Sequence, residues 1–295
     1  MQTTESLRRT IAVTQELQSV VKTMKALAGV NIRQYESAAH AVAEYNRTVE
    51  MGLQIALRRL PAQIATQQKT GGKLGVIVFG SDQGMCGQLN DQVVQHAARA
   101  VEKLRRHHAE QAMAAVGIRA ASQMEGLGRT MDATVQVPGS VAGITPAVEA
   151  VLRQIEDWHF RQGIEFVVLF YARPVSGAWY RIRGVRLLPV DEEWINSVRA
   201  KPWPGKAVPM FTMDETQLFR ALIREYLFVS LYRAFAESLA SENASRLASM
   251  QVAERNIEDR LHALTAESRQ LRQESITSEL LDTIAAFEAL RGKGA

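Results

Sequence analysis

Residues 222–275 read LIREYLFVSLYRAFAESLASENASRLASMQVAERNIEDRLHALTAESRQLRQES. They belong to a longer segment, Met210 to Arg291, that contains neither Gly nor Pro. Positions taken alternately four and three residues apart from Leu222 to Ser275 are apolar at eleven of sixteen places, which is the heptad pattern of a supercoiled helix. A helix of this length cannot bury its apolar stripe within one globular core, so the sequence predicts a partner helix.

The partner is predicted at the other end of the chain, where residues from about Thr4 to Leu60 form a second long helical pattern. Gly29 and Gly52 interrupt this pattern, and we expect a close approach between two helices at each of them rather than a hinge. Pro61 is expected to end the helix. The apolar stripe of this helix is formed by Leu7, Ile11, Thr14, Val21, Met24, Ala28, Tyr35, Val42, Tyr45 and Val49.

Charge supports the pairing of these two helices. Residues 1–60 carry eight Lys and Arg against five acids, whereas residues 214–291 carry nine Arg against thirteen acids. Opposite net charges favour a defined register, although surface ion pairs contribute little stability. Because both helices are attached to the same central segment, we expect them to be antiparallel.

The middle of the chain alternates buried strands with helices, which predicts parallel βαβ units. The sequence therefore indicates an α/β fold: a long antiparallel coiled coil of the N- and C-terminal helices plus a central Rossmann-like α/β domain. The expected boundaries are 1–60, 61–209 and 210–295. Residues 192–209 are expected to form a loop. The expected strands are Leu74–Phe79, Ala112–Val116, Val135–Val137, Phe166–Tyr171 and an antiparallel Tyr180–Leu188, and the expected helices are Asp91–His107, Arg119–Leu127 and Thr145–Arg161.

Composition narrows the possible functions. The chain has 295 residues and a net charge of +4, and it lacks a Lys/Arg cluster interleaved with aromatic residues, so no nucleic-acid partner is expected. No apolar run approaches the roughly 20 residues of a membrane span. A single cysteine, Cys86, excludes an internal disulfide. Trp194 and Trp203 are expected to be packing anchors. Asn243 interrupts the apolar stripe, where it either fixes the register or bonds a partner chain.

The glycine-rich turn after the first predicted strand is the main candidate for chemistry. Gly80, Gly84 and Gly87 lie where α/β folds often bind phosphate, but the spacing is neither GxGxxG nor GxxxxGK[ST]. The alternatives are a nucleotide site or a tight turn in which Ser81 and Asp82 satisfy backbone donors. Pairing of the cysteine with a histidine is disfavoured, and neither a metal nor a cofactor is expected.

Four segments of the sequence together resemble one protein family. Residues 81–90 (SDQGMCGQLN) closely resemble the SDxGLCGGLN signature of the γ subunit of F-type ATP synthases. Residues 240–250 (ASENASRLASM) are similar to ASExxARMxAM, and residues 272–280 (RQESITSEL) to RQAxITxEL. Residues 22–28 (KTMKALA) resemble KAMxMVA. The segments occur in the family's order and cover nearly the whole chain.

This resemblance implies a central rotor stalk that is not itself catalytic. In that family the helix pair lies inside a hexamer of α and β subunits, and the α/β domain contacts the ε subunit and the membrane c-ring. It implies a peripheral position on the cytoplasmic face of the bacterial inner membrane. The family's Tyr-x-x-Glu-Pro element is replaced here by Pro209–Met213, so its c-ring contacts do not carry over. The alternatives are a nucleotide-binding enzyme that uses the Gly80–Gly87 turn, or a coiled-coil adaptor protein.

The resemblance also implies polar contacts that couple the stalk to its stator, with a solvated helix face as the alternative. The residues concerned are Lys22, Met24 and Lys25 in the N-terminal motif, and Arg272, Gln273, Thr277 and Glu279 in the C-terminal one.

Helix lengths predict a further interface without reference to any family. If Leu60 lies beside Asp214, Met1 is level with about residue 273, so residues 274–290, here called the C-terminal tip, have no partner within the chain. The tip is apolar, and we predict that an apolar sleeve of α and β subunits covers it. Its large apolar residues are Ile276, Leu280, Leu281, Ile284, Phe287 and Leu290.

Overall fold

The computed structural model describes residues 4–59, 72–104, 108, 110–175, 178–205 and 209–291. The helices are α1 Thr4–Arg59, α2 Leu89–Leu104, α3 Ile118–Gly126, α4 Ile144–Asp157, α5 Glu192–Ala200 and α6 Glu215–Arg291. The strands are β1 Lys73–Phe79, β2 Gln111–Val116, β3 Ala133–Val135, β4 Ile164–Val175 and β5 Ala178–Leu188. Across these ranges, no helix combines the length and apolarity that a membrane span requires. Pro61 lies outside the described residues.

Contacts divide the chain into two units, residues 28–246 and a second unit formed by residues 1–27 with 247–295. The first unit contains a five-stranded sheet of order β3-β2-β1-β4-β5. The pairs β1–β2, β1–β4 and β2–β3 are parallel, and β4–β5 is antiparallel. The predicted parallel units and the predicted antiparallel strand are therefore confirmed.

Both faces of the central strand β1 are covered, as expected for the middle of a parallel sheet. Val76 and Val78 pack with α2 and α3, whereas Ile77 and Phe79 pack with α4 and with residues 231–240 of α6. Gly75 stands in this strand because a Cβ there would lie 2.8 Å from the Trp158 ring. The sheet is thus joined through its own core to one segment of the long helix.

A third core lies between the C-terminal half of α1, the N-terminal part of α6 and α5. Here Gly52 allows the close approach that was predicted, because an added Cβ would lie 2.9 Å from Leu222. The same prediction is wrong for Gly29, around which an added Cβ would meet no atom within 4 Å. Tyr45 is also off the packed stripe: it is 47% exposed and donates a hydrogen bond to Glu225.

Helix α5 corrects the prediction that residues 192–209 form a loop. The Asp191 side chain accepts a hydrogen bond from the Glu193 amide and caps the helix, while Ile195 and Val198 are buried. Trp194 stacks on Tyr226 with ring centroids 4.3 Å apart, so it is a packing anchor as expected.

The second unit consists of two antiparallel helical segments, the start of α1 and the end of α6. Lys25 forms an ion pair with Glu254, and the side chains of Leu7, Met250 and Leu264 are buried. After Leu271 the burial stops, and every side chain from residue 272 to residue 285 is exposed. The predicted overhang of the C-terminal helix is therefore present for the residues whose side chains are described.

Candidate functional site

The glycine-rich turn after β1 is held closed by its own side chains. The Ser81 amide donates to Asn90 Oδ1 at 2.9 Å, and Asn90 Nδ2 donates to Ser81 Oγ at 2.8 Å. Ser81 Oγ in turn donates to the Gln83 carbonyl at 2.7 Å. An amide donor that could have bound a phosphate is thus already used by a side chain of α2.

Asp82 connects the turn to two other elements. Its Oδ1 accepts from the Ile118 amide at 2.9 Å, at the start of α3, and its Oδ2 accepts from the Val137 amide at 2.8 Å, just after β3. The prediction that Asp82 satisfies backbone donors is confirmed. It is wrong for Ser81, whose hydroxyl donates to a carbonyl and accepts only from a side chain.

Gly80 and Gly87 serve the geometry of the turn, whereas nothing in the structure requires a glycine at Gly84. Gly87 has φ of 59°, a left-handed conformation that side chains rarely adopt. At Gly80 an added Cβ would lie 2.5 Å from the Ala120 side chain and 2.6 Å from Asn90 Oδ1. Gly84 has ample space around it, with a single atom 3.8 Å from the position of an added Cβ. The close packing at Gly80 therefore fills the space directly after β1, against Ala120 and Asn90.

Cys86 is a buried structural residue. Its thiol lies 3.6 Å from Ser81 Oγ, and burial raises its pKa above the ordinary value, which disfavours the nucleophilic thiolate. His96 instead packs edge-on against Phe170, with ring centroids 6.0 Å apart. Within the described part of the chain, no cluster of His, Cys, Asp or Glu could hold a metal ion.

Two of the sequence motifs meet at this turn. Ser245 of α6 donates through Oγ to the Cys86 carbonyl at 2.6 Å. Ser245 of the motif 240–250 therefore contacts Cys86 of the motif 81–90, although 159 residues separate them in sequence. Sequence reasoning missed this contact, because neither motif alone indicates its tertiary partner.

Helix α6 carries buried charged residues beside the α/β domain. Arg246 Nη2 donates to Glu242 Oε1 at 2.6 Å, and burial raises the pKa of Glu242. Glu237 Oε1 accepts from Arg233 at 2.8 Å and forms an ion pair with Arg173 at 3.4 Å. These groups were missed at the sequence level, although Glu–Arg pairs four residues apart within an apolar stripe are a recognisable signal.

Asn243 combines a local and a long-range contact in the same buried stripe. Its side chain donates to the Leu239 carbonyl at 2.8 Å and accepts from Asn31 of α1 at 3.4 Å. The contact with Asn31 favours the first alternative, that Asn243 fixes the register between α1 and α6, and a bond to a partner chain stays a prediction.

The predicted coupling residues of α1 differ in their surroundings. Lys22 is exposed, Met24 is half-buried, and Lys25 is engaged with Glu254. On α6, Arg272, Gln273, Thr277 and Glu279 are all exposed. The Thr277 hydroxyl donates to the carbonyl of Gln273 within the helix. Among the described contacts, none joins the N-terminal group to the C-terminal one.

The C-terminal tip presents the apolar surface that was predicted. Ile276, Leu280, Leu281 and Ile284 are 49%, 59%, 61% and 55% exposed, respectively. Phe287 lies in the helix, but its side chain is outside the described residues.

A second exposed apolar stripe on α1 was not predicted. Val13, Leu17, Val20 and Leu27 follow one another at spacings of four, three and seven residues, which places them on one helix face, and they are 49–58% exposed. The spacing of these residues is visible in the sequence, but the prediction for α1 covered only the apolar stripe that pairs with the C-terminal helix.

Comparison with known proteins assigns the family. A sequence profile described as ATP synthase matches residues 3–290. The ATP synthase gamma chain of Nautilia profundicola is 24% identical over 99% of this chain and 100% of its own length. That of Polynucleobacter necessarius is 26% identical over 98% and 100%.

Solved structures agree in fold. A chain from the OSCP/F1/c-ring structure of the Euglena gracilis mitochondrial ATP synthase superimposes with a TM-score of 0.67 at 19% identity, covering 99% of this chain and 96% of that one. A chain from the rotor structure of the same enzyme gives 0.60 at 18% identity, covering 92% and 98%. Because the family profile matches almost the whole length of this chain, the chain belongs to the ATP synthase gamma family.

Proposed function

We propose that this protein is the central rotor stalk of an F-type ATP synthase. In this role it couples ion flow through a membrane ring of c subunits to ATP synthesis or hydrolysis at the β subunits. One observation carries the proposal: α6 continues past Leu271 with every described side chain exposed, and four large apolar residues lie there. Soluble proteins avoid exposing such a surface without a partner.

The apolar character of the C-terminal tip suits a bearing. Hydrophobic and dispersion contacts are non-directional, so a smooth apolar sleeve would not hold the stalk at one angle as hydrogen bonds would. We therefore assign Ile276, Leu280, Ile284 and Phe287 to contacts with the α and β subunits. The stripe of Val13, Leu17, Val20 and Leu27 on α1 offers a second surface of the same chemistry.

The polar residues beside these apolar surfaces suit contacts that form at particular rotation angles. Charge-assisted hydrogen bonds are directional, so they can distinguish one stator position from another. Exposed Arg272, Gln273, Thr277 and Glu279 would serve here, together with Lys22. The half-buried Met24 would add an apolar contact beside them. Lys25 is already paired with Glu254, and its remaining N–H groups could donate to a stator group as well.

In the proposed complex, the α/β domain of residues 61–209 is non-catalytic and contacts the ε subunit and the c-ring. The turn supports this, because the Ser81 amide is already bound by Asn90 and the space beside Gly80 is filled. The chain would be a peripheral protein at the cytoplasmic face of the bacterial inner membrane, attached through the complex. The occupied turn favours this function over a nucleotide-binding enzyme, and the family favours it over a general coiled-coil adaptor.

Co-purification tests the proposed function directly. The tagged full-length chain should recover α- and β-type ATPase subunits together with ATP hydrolysis that inhibitors of the membrane ring suppress. Truncation after Gln273 removes the C-terminal tip and leaves both helices of the ion pair at Lys25 in place. The truncated chain should fold normally but lose most coupled turnover. Recovery of the full-length chain without ATPase subunits would refute the assignment.

A further inference from the structure

A cleft of about 730 Å³ opens in the unit of residues 28–246. It is lined by α1, by the turn after β1, by residues 135–139, by the start of α4 and by α6. Pockets of roughly 300–1,000 Å³ bury most of the surface of a bound small molecule. The cleft is therefore large enough for a small organic ligand, and the proposed rotor function gives it no role.

Arg246, in the wall of the cleft, has a buried donor that lacks an acceptor. Its side chain is only 10% exposed, and Nη2 donates to Glu242 at 2.6 Å. Its Nε–H is buried and has no acceptor among the described residues. Leaving a buried donor unpaired is costly, and a guanidinium prefers to bind two oxygen atoms side by side. The side chain is thus suited to a ligand that carries adjacent oxygen acceptors.

Three further polar groups of the lining also have hydrogen-bonding capacity left. The side chains of Gln83 and Gln136 and the hydroxyl of Tyr35 form no hydrogen bond within the described part of the chain. Burial raises the pKa of Tyr35, so its hydroxyl stays neutral. Carboxamides and hydroxyls both donate and accept hydrogen bonds. A ligand with several hydroxyl groups, which also do both, would match all three.

The charged groups of the lining favour a neutral ligand. Both oxygens of Asp82 already accept backbone amides, and Glu242 is balanced by Arg246. The described lining contains no Lys and no second Arg. A phosphate would therefore meet no unpaired cation, and an amine or a metal ion would meet no unengaged carboxylate to offset its desolvation.

Apolar side chains complete the walls of the cleft. Pro138, Pro146 and Leu239 lie in the same lining as the polar groups. A sugar or cyclitol ring has C–H groups on its faces and hydroxyls around its rim, so it can contact both kinds of surface. Neighbouring hydroxyls on such a ring also hold two oxygens side by side, as the guanidinium prefers.

We infer that this cleft binds a neutral polyhydroxylated small molecule, of the size of a monosaccharide or disaccharide, with two adjacent hydroxyl oxygens on Arg246. The site goes beyond the proposed rotor function and does not depend on it. Because Tyr35 of α1, Gln83 of the turn and Arg246 of α6 all line the cleft, the bound molecule would link these three elements of one unit.

Binding to the purified full-length chain tests the inference. The probes are glucose, maltose and myo-inositol, compared with glucose 6-phosphate and myo-inositol 1-phosphate, and binding is measured by saturation-transfer NMR and titration. At least one neutral probe should bind saturably and raise the melting temperature, and the phosphorylated form of a monosaccharide or cyclitol that binds should bind more weakly.

Matched variants locate the site. Gln136 and Gln88 are both exposed, but only Gln136 lines the cleft. Gln136→Trp fills the mouth of the cleft and should abolish binding, whereas Gln88→Trp should leave it unchanged. Arg246→Lys keeps the charge but removes the planar fork, and should weaken binding about tenfold.

Three results would overturn the inference. Absence of saturable binding by every neutral probe refutes the site, and tighter binding of the phosphorylated probes refutes the neutral class of ligand. Equal binding by Gln136→Trp and Gln88→Trp refutes the location. If Arg246→Lys does not fold, as judged by circular dichroism, the comparison of the two Trp variants still decides the location, because both positions are exposed.

Discussion

Replacing Leu280 and Ile284 by Ser removes two apolar side chains, one helical turn apart, from the C-terminal tip. They are 59% and 55% exposed. Full burial of a Leu or Ile side chain contributes about 1.5–3 kcal/mol, so covering the exposed half of each contributes about 1–1.5 kcal/mol. The double variant should therefore bind the hexamer of α and β subunits about 2–3 kcal/mol more weakly, which is roughly 30- to 150-fold.

The assay is the binding of the purified full-length chain to the isolated hexamer, followed by fluorescence, with hydrogen exchange of residues 276–285 in the free and bound chain. The control is Asp282→Ser, which also puts Ser into this exposed part of the helix but removes no apolar surface. Because the positions are exposed, the free energy of unfolding of the free chain should change little. Binding by the double variant within twofold of the control, or equal exchange of residues 276–285 in both states, would contradict the sleeve.

Three further predictions concern the turn, the polar contacts and a buried tyrosine. Asp82→Ala leaves two backbone amides without acceptors and should lower the free energy of unfolding by about 2–3 kcal/mol, measured by urea denaturation against Asp82→Asn, which keeps an acceptor. Arg272→Ala with Gln273→Ala should reduce coupled turnover severalfold while co-purification persists; unchanged turnover would remove both residues from the interface. Burial and the nearby Glu237 raise the pKa of Tyr171 to about 12. Since the unfolded chain ionises first, stability should fall between pH 10 and 12, by roughly 2–3 kcal/mol more than in Tyr171→Phe, and equal thermal-melting profiles would disprove it.

The elements that could be predicted are those whose pattern is local. The buried run at 74–79 is a central strand because a two-faced apolar strand has few other structures available to it. Helix α5 shows one limit of sequence prediction. The three prolines of residues 192–209 suggested a loop, but all three follow the helix. The start of the helix is set by the Asp191 cap. Gly29 shows a second limit of sequence prediction. A glycine in a helical pattern does not reveal whether another helix packs against it.

The candidate site could be predicted only at the C-terminal tip, where the exposure of the side chains follows from the lengths of the two helices. The overhang of α6 follows from counting residues along two antiparallel helices, and the exposed side chains from 272 to 285 agree with it. The bond from Ser245 to Cys86 was not predictable, because it depends on how the α/β domain sits against α6 within its own unit. The buried pair of Glu242 and Arg246 depends on the same packing.

Two parts of α6 differ in chemistry in a way that suits the different tasks proposed for them. Beside the α/β domain, the buried side chains of α6 include Glu237, Ser241, Glu242, Asn243, Ser245 and Arg246. Buried polar groups must be paired, and pairing fixes one geometry because a shifted register would leave them unsatisfied. In residues 276–284 the large side chains are apolar and exposed, so a partner can cover them at many angles with similar energy. In the proposed complex, buried polar contacts would fix the segment of α6 beside the α/β domain, and an apolar sleeve would cover residues 276–284. Exchanging the two chemistries would abolish both properties, because an apolar seam would allow slippage and a polar tip would hold one angle.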